Sequence, residues 1–166
     1  MRSHLIRRLL ALAAVALLAL GAVPTAPAYA AANILVDPTA NDANDNSDGK
    51  CSLWEALQAI AQGSTYNNCT LPGGASEPFT ITFKSSGKLR VLNGTLPFVS
   101  KNVAITGPVI IEGNGSDTTL VVAGSGILSL ANLTMTKGNP AIMSQTSSAV
   151  INIAGCSFTD NKNDGD

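Results

Sequence analysis

A single histidine, His4, is the only imidazole in this 166-residue chain, and it sits in an N-terminal segment that reads as a removable leader. Without it, a Ser-His-Asp or Cys-His nucleophile has no base, and a zinc site cannot be built from histidine. Charge is also scarce: Asp, Glu, Lys and Arg make up 13% of the chain. After residue 30, seven Lys and Arg stand against eleven Asp and Glu, a net charge of −4. No basic patch is expected, so nucleic acid is not an expected partner. The apolar run Leu9–Val23 holds 15 residues, short of the roughly 20 that a membrane-spanning helix needs.

That run belongs to the leader. Arg2, Arg7 and Arg8 precede it, Pro24 follows it, and Ala28-Tyr29-Ala30 has the small-residue pattern of a cleavage site. The pattern predicts a secretory signal peptide over residues 1–30, cut after Ala30. Its alternative, an uncleaved anchor, has too short a span. The mature form is therefore expected outside the cytoplasm, secreted or at the cell surface, with no membrane segment.

Cysteine usage fits export. Cys51 and Cys69 flank one local segment, and in an oxidising compartment they are expected to bridge. Closing a loop of that size is worth about 3 kcal/mol in the chain-entropy model. Cys156 stands alone and is expected to be a small buried hydrophobe, as free cysteines commonly are.

Ser, Thr, Asn and Gly are abundant, a mixture suited to short strands and tight turns. Near the C-terminal end this composition becomes periodic. Val109-Ile110-Ile111-Glu112, Leu133-Thr134-Met135-Thr136 and Cys156-Ser157-Phe158-Thr159 begin 24 and then 23 residues apart. A second short strand precedes each: Val103-Ala104-Ile105, Leu128-Ser129-Leu130 and Ile151-Asn152-Ile153. Gly, Asn, Asp and Lys turns follow. Strands repeating at that period predict a stacked solenoid. The separations within a coil are too short for helical crossovers.

Upstream, Phe79-Thr80-Ile81-Thr82-Phe83 alternates apolar and polar residues as a strand does. Before it, Ser52 and Glu55 match a capping box, Leu53, Ala56, Leu57 and Ile60 share one helical face, and Gly63 ends the helix. The organisation expected is a leader (1–30), an N-terminal strand, acidic loop and helix (31–78), and coils (79–166). The helix is placed to cover the open end of the first coil; a docking role is the alternative.

The loop before the helix admits a sharper reading. Asn44, Asn46, Asp48 and Glu55, with Gly49, have the spacing of an EF-hand calcium loop. Against it, Asn replaces Asp at the first position, no helix precedes it, and Glu55 is already a capping residue. An Asp/Asn-rich turn is the simpler expectation, and no cofactor is required.

Cys51-Ser52-Leu53-Trp54-Glu55-Ala56-Leu57 resembles the CSLREA motif of secreted bacterial right-handed parallel β-helix proteins, which include pectate-lyase-like and polymorphic-surface-protein-like solenoids. Ile81-Thr82-Phe83 and Val103-Ala104-Ile105-Thr106-Gly107 follow in the order that the resemblance implies. Trp54 departs from the motif's arginine, turning that helix face inward or toward a partner. The resemblance implies an all-β fold, a right-handed parallel β-helix of about three to four coils behind a capping α-helix.

Two functions remain open. One is a non-catalytic structural or adhesin-like scaffold, binding an extracellular glycan or a host or cell surface. The other is a carbohydrate-active lyase or hydrolase. For the latter only Glu112, Asp117 and Asp160 are available in the coils, with Lys137 as a base; Glu112 is expected to face outward near the column of Asp160. The chain also reaches Asn163-Asp164-Gly165-Asp166 directly after a coil, with no second cap. A solenoid truncated there is the expectation, with self-association through the bare coil as its competitor.

Overall fold

The computed structural model describes residues 31–40, 48–92 and 94–163. The leader, its expected cleavage site, Asn44 and Asn46 lie outside the described residues.

Strand alternation appears at once. In β1 (Ala31–Val36), Ala32, Ile34 and Val36 are buried while their neighbours face out. The helix α1 (Leu53–Gln62) forms as its ends dictate. The Ser52 hydroxyl accepts from the Glu55 backbone N–H, and the Glu55 carboxylate accepts from the Ser52 N–H, each at 3.1 Å. Gly63 closes the helix at φ 68°, a left-handed conformation that glycine adopts without steric cost. Leu53, Ala56, Leu57 and Ile60 are buried, as their spacing predicts.

Ten further strands follow: β2 (Ser76–Phe83), β3 (Gly87–Arg90), β4 (Asn102–Thr106), β5 (Val109–Glu112), β6 (Leu120–Val122), β7 (Ile127–Ala131), β8 (Thr134–Thr136), β9 (Ile142–Ser144), β10 (Val150–Ala154) and β11 (Ser157–Thr159). They form three sheets, with spatial orders β1-β2-β4-β7-β10, β3-β5-β8-β11 and β6-β9, and every strand pairing is parallel. Neighbours within each sheet come from successive coils, so the chain winds as an all-β solenoid of about three turns. Strand β1 occupies the first sheet one rung before β2. The expected N-terminal region and the coils thus share one sheet and one core.

Register turns this winding into a core. Ile34, Ile81, Ile105, Leu130 and Ile153 lie directly over one another in the first sheet. Leu89, Ile111, Met135 and Phe158 do the same in the second. Neighbouring rungs are about 4.8 Å apart, so each inward side chain is covered by the one above and the one below. Helix α1 adds its apolar face to the same continuous cluster. The cap is fastened by the Cys51–Cys69 disulfide, and Trp54 packs beside Tyr66 at a ring-centroid distance of 6.0 Å. Trp54 is thus directed to the cap's own packing.

The sequence pattern predicts two strands per coil, whereas two of the coils carry a third among the described residues. Strands β6 and β9 form a third face that alternation does not reveal, because Leu120, Val121 and Val122 of β6 are all buried while β9 pairs a half-buried Ile142 with exposed Met143 and Ser144.

At the far end the columns stop. Leu130 is 1% exposed, but Ile153, one rung on in the same column, is 51% exposed, and Phe158 is 41% exposed. Cys156 is half-buried and free, which corrects the expectation of a buried cysteine. It has the inward register of Val109 and Leu133, but no rung lies over it among the described residues.

The stack predicts unequal costs along one column. Leu130→Ala should destabilise the protein by about 2–5 kcal/mol, the usual range for a fully buried leucine. Ile153→Ala should cost less than half as much. Urea unfolding of the two variants checks this; equal losses would contradict the stacking.

Candidate functional site

The outward side of the second sheet collects the chain's chemistry. Along each of its strands, residues alternate between the core and this face. One outward column runs Lys88, Ile110, Thr134, Ser157, and the next runs Arg90, Glu112, Thr136, Thr159. Columns two residues apart are roughly 7 Å from each other.

Glu112 is the hub of this face. Arg90, its direct partner in the parallel ladder, brings Nε to 3.2 Å from Oε1. Lys88, also on β3, donates from Nζ to Oε2 at 2.9 Å. Lys137 reaches the same Oε2 at 3.4 Å from the turn after β8, where its backbone sits at φ 57°. The Glu112 side chain is only 9% exposed, whereas Lys88, Arg90 and Lys137 are 46%, 64% and 56% exposed. Glu112 does lie on the outward side, as expected, but beneath a lid of three cations. The hydrogen bond from Lys88 holds its carboxyl below the ordinary value of 4.5; burial acts in the opposite direction, and Lys137 adds to the lowering.

This cluster corrects the expectation that no basic patch exists. Lys88, Arg90 and Lys137 are dispersed along the sequence, and only the stacking of three coils brings them to one carboxylate.

Beside the cluster, Ile110, Thr134 and Ser157 form the floor of a shallow groove of about 330 Å³, edged by Pro108, Asn132 and Gly155 at the corner before the sheet. Asn132 and Gly155 both hold left-handed backbone, at φ 55° and 61°, and register aligns them one rung apart. The next corner is tied along the stack: Asn161 accepts from the Gly138 N–H at 2.8 Å and donates to the Met135 carbonyl at 3.0 Å. Asn161 thus bonds from one coil to the backbone of the one before.

The other candidate residues fall elsewhere. Cys51 and Cys69 are joined beneath the helix. Ser52 and Glu55 make the cap, and the second Glu55 oxygen accepts from Asn67 at 3.0 Å. Of the four candidate calcium ligands, Asn44 and Asn46 lie outside the described residues. Asp48 accepts from the Lys50 backbone in a turn, and Glu55 is buried in the cap. Among the described residues no group of three or more His, Cys, Asp or Glu could hold a metal. Asp117 takes the Asn114 amide at 2.7 Å. Asp160 lies one rung beyond Lys137. Lys137, the candidate base, is bound to Glu112.

No family model matches the chain, and no curated protein or solved structure does either.

The depressed carboxyl gives a pH dependence with a definite sign. A carboxyl whose folded pKa lies below its unfolded one stabilises the fold above the unfolded value, and the contribution is lost as pH falls through the folded value. The stability difference between the protein and Glu112→Gln should therefore be full at neutral pH and shrink steadily on acidification below about 4.5. Denaturant titrations of both across that range measure it; a difference that grows as pH falls would refute the pairing.

Proposed function

We propose that this chain is a non-catalytic secreted or cell-surface scaffold, a capped β-solenoid that holds the outward face of its second sheet ready for binding. The observation that carries this reading is the commitment of two of the three coil carboxylates, Glu112 and Asp117. Glu112 is ringed by Lys88, Arg90 and Lys137, and Asp117 is held by Asn114. A general acid or base needs a proton-transfer route to substrate, and a carboxylate under three cations is poorly placed to offer one. The groove and cations nevertheless form a fixed, partly exposed surface of mixed polarity. That is the equipment of recognition.

Export is part of the proposal. It rests on the leader pattern of residues 1–30 and accords with the disulfide at the cap. The competing reading, a polysaccharide lyase or hydrolase, would draw on Glu112, Asp160 and Lys137.

A second reading concerns the open coil. Val150, Ile153 and Phe158 are exposed, and Pro140, Ala141, Ile142 and Ile151 line an apolar depression beside them. We infer that copies of the protein associate there, through a surface that the first coil lacks because α1 covers it.

Incubation with polygalacturonate and with neutral glycans, with and without calcium, should yield neither unsaturated products nor new reducing ends; steady turnover abolished by Glu112→Gln would overturn the scaffold reading. Sedimentation should show mass rising with concentration, reverting to monomer in Ile153→Lys. Monomer at all concentrations would remove the self-association.

A further inference from the structure

The cation cluster has more charge than its carboxylate can use. One lysine would neutralise Glu112, yet three cations attend it. Ion pairs with exposed partners are worth about 0–1 kcal/mol each, so stability alone gives little reason for the second and third. Against Glu112 alone the surplus is two positive charges, and counting Asp160, one rung beyond Lys137, it is one, in a protein whose overall balance is negative. At physiological salt, charges separated by more than about 8 Å are largely screened, so a ligand at this face meets the local surplus, not the net charge.

We propose that the outward face of the second sheet binds a sulfated polysaccharide, with Lys88, Arg90 and Lys137 gripping a sulfate ester and the groove over Ile110, Thr134 and Ser157 seating the sugar chain. This inference rests on the binding reading above and gives it a ligand class.

The geometry has three parts. The first is convergence: all three cations reach one carboxylate within 3.4 Å, so they are close enough together to share a second anion. A sulfate ester presents three terminal oxygens in a tetrahedral array, one for each cation. The second is unused donor capacity. Arg90 meets Glu112 through Nε, which leaves its terminal nitrogens to donate as a fork, the geometry by which arginine recognises oxyanions. Lys88 and Lys137 each retain further ammonium protons. The third is preorganisation. Immobilising a long side chain on binding costs about 0.5–1.5 kcal/mol, and Glu112 has already restrained three of them.

The groove argues for a polymer over a free ion. Lys88 heads the column that continues through Ile110, Thr134 and Ser157. Three rung spacings make that column roughly 14 Å long, room for several sugar units. Its floor offers hydroxyls on successive rungs, with Asn132 at the edge. No aromatic residue lines it, so the broad apolar platform that aromatic rings would give an uncharged sugar is missing. Charge must supply the affinity.

The test is affinity electrophoresis of the secreted protein through gels containing dextran sulfate, neutral dextran, polygalacturonate or single-stranded DNA. Dextran sulfate should retard it, neutral dextran should not, and added inorganic sulfate should relieve the retardation. Arg90→Gln, at a largely exposed position, should weaken the interaction about tenfold, the effect of losing one charge-assisted contact. Removing Lys88 and Lys137 as well should abolish it, with an unfolding curve confirming that each variant remains folded. Retention by neutral dextran alone, unchanged in Arg90→Gln, would overturn the sulfate assignment and leave the binding face standing. Equal retention by DNA or polygalacturonate would overturn the sulfated class, because any polyanion would then suffice. Retention by none of the four would remove both the ligand and the binding face.

Discussion

The fold depends on one constraint: each inward side chain must lie over its counterpart in the next coil. A single coil cannot bury its own apolar residues, since Ile105 has cover only because Ile81 sits before it and Leu130 after it. Apolar burial is worth about 25 cal/mol per Å², and in this molecule the buried residues of successive rungs and of the helix form one cluster. The interior is therefore one continuous column set, and its two ends are the costly places. At the first end the problem is solved by α1, whose capping box, glycine stop and disulfide hold an apolar helix face against the strands. Among the described residues nothing performs that task at β10 and β11, where Ile153 and Phe158 continue the columns into solvent.

The same constraint produces the candidate site. Parallel stacking at fixed register makes neighbours of residues that a linear reading keeps apart, and it does so on the outside of the solenoid as well as the inside. Arg90 opposes Glu112 because Leu89 opposes Ile111. Lys137 arrives from a later coil because Thr136 opposes Glu112. Inward apolar matching thus fixes outward charge geometry, and the core supplies the rigidity from which the cations are displayed. A flexible surface would have to order these side chains at the moment of binding.

Much of the architecture was legible in the sequence, for a physical reason. Strand periodicity of two, repeated every two dozen residues, leaves a double imprint, so the columns through Val103, Leu128 and Ile151 and through Ile111, Met135 and Phe158 could be written down in register. The helix was equally legible, because Ser52, Glu55 and Gly63 act locally. The third sheet is hidden, since its strands are three residues long and neither the buried β6 nor the largely exposed β9 carries alternation. For Cys156 the general tendency of free cysteines predicts burial, but burial in a solenoid also requires a following rung. The cation cluster left no linear trace, because its members belong to different coils and only register unites them. The calcium reading relied on Glu55, which spacing offered to a loop and the cap has taken.

The most direct test of the stacking is a cross-link across it. Ala104 and Ser129 lie directly opposite one another on adjacent strands β4 and β7 and face outward. Strands about 4.8 Å apart fall within the separation that a disulfide tolerates. In a Cys156→Ser background, the Ala104→Cys, Ser129→Cys protein should close this bridge under mild oxidation while remaining folded. Ala104→Cys paired with Ile127→Cys, two positions out of register, should not. Efficient bridging of the offset pair, with none across the registered one, would contradict the parallel stack.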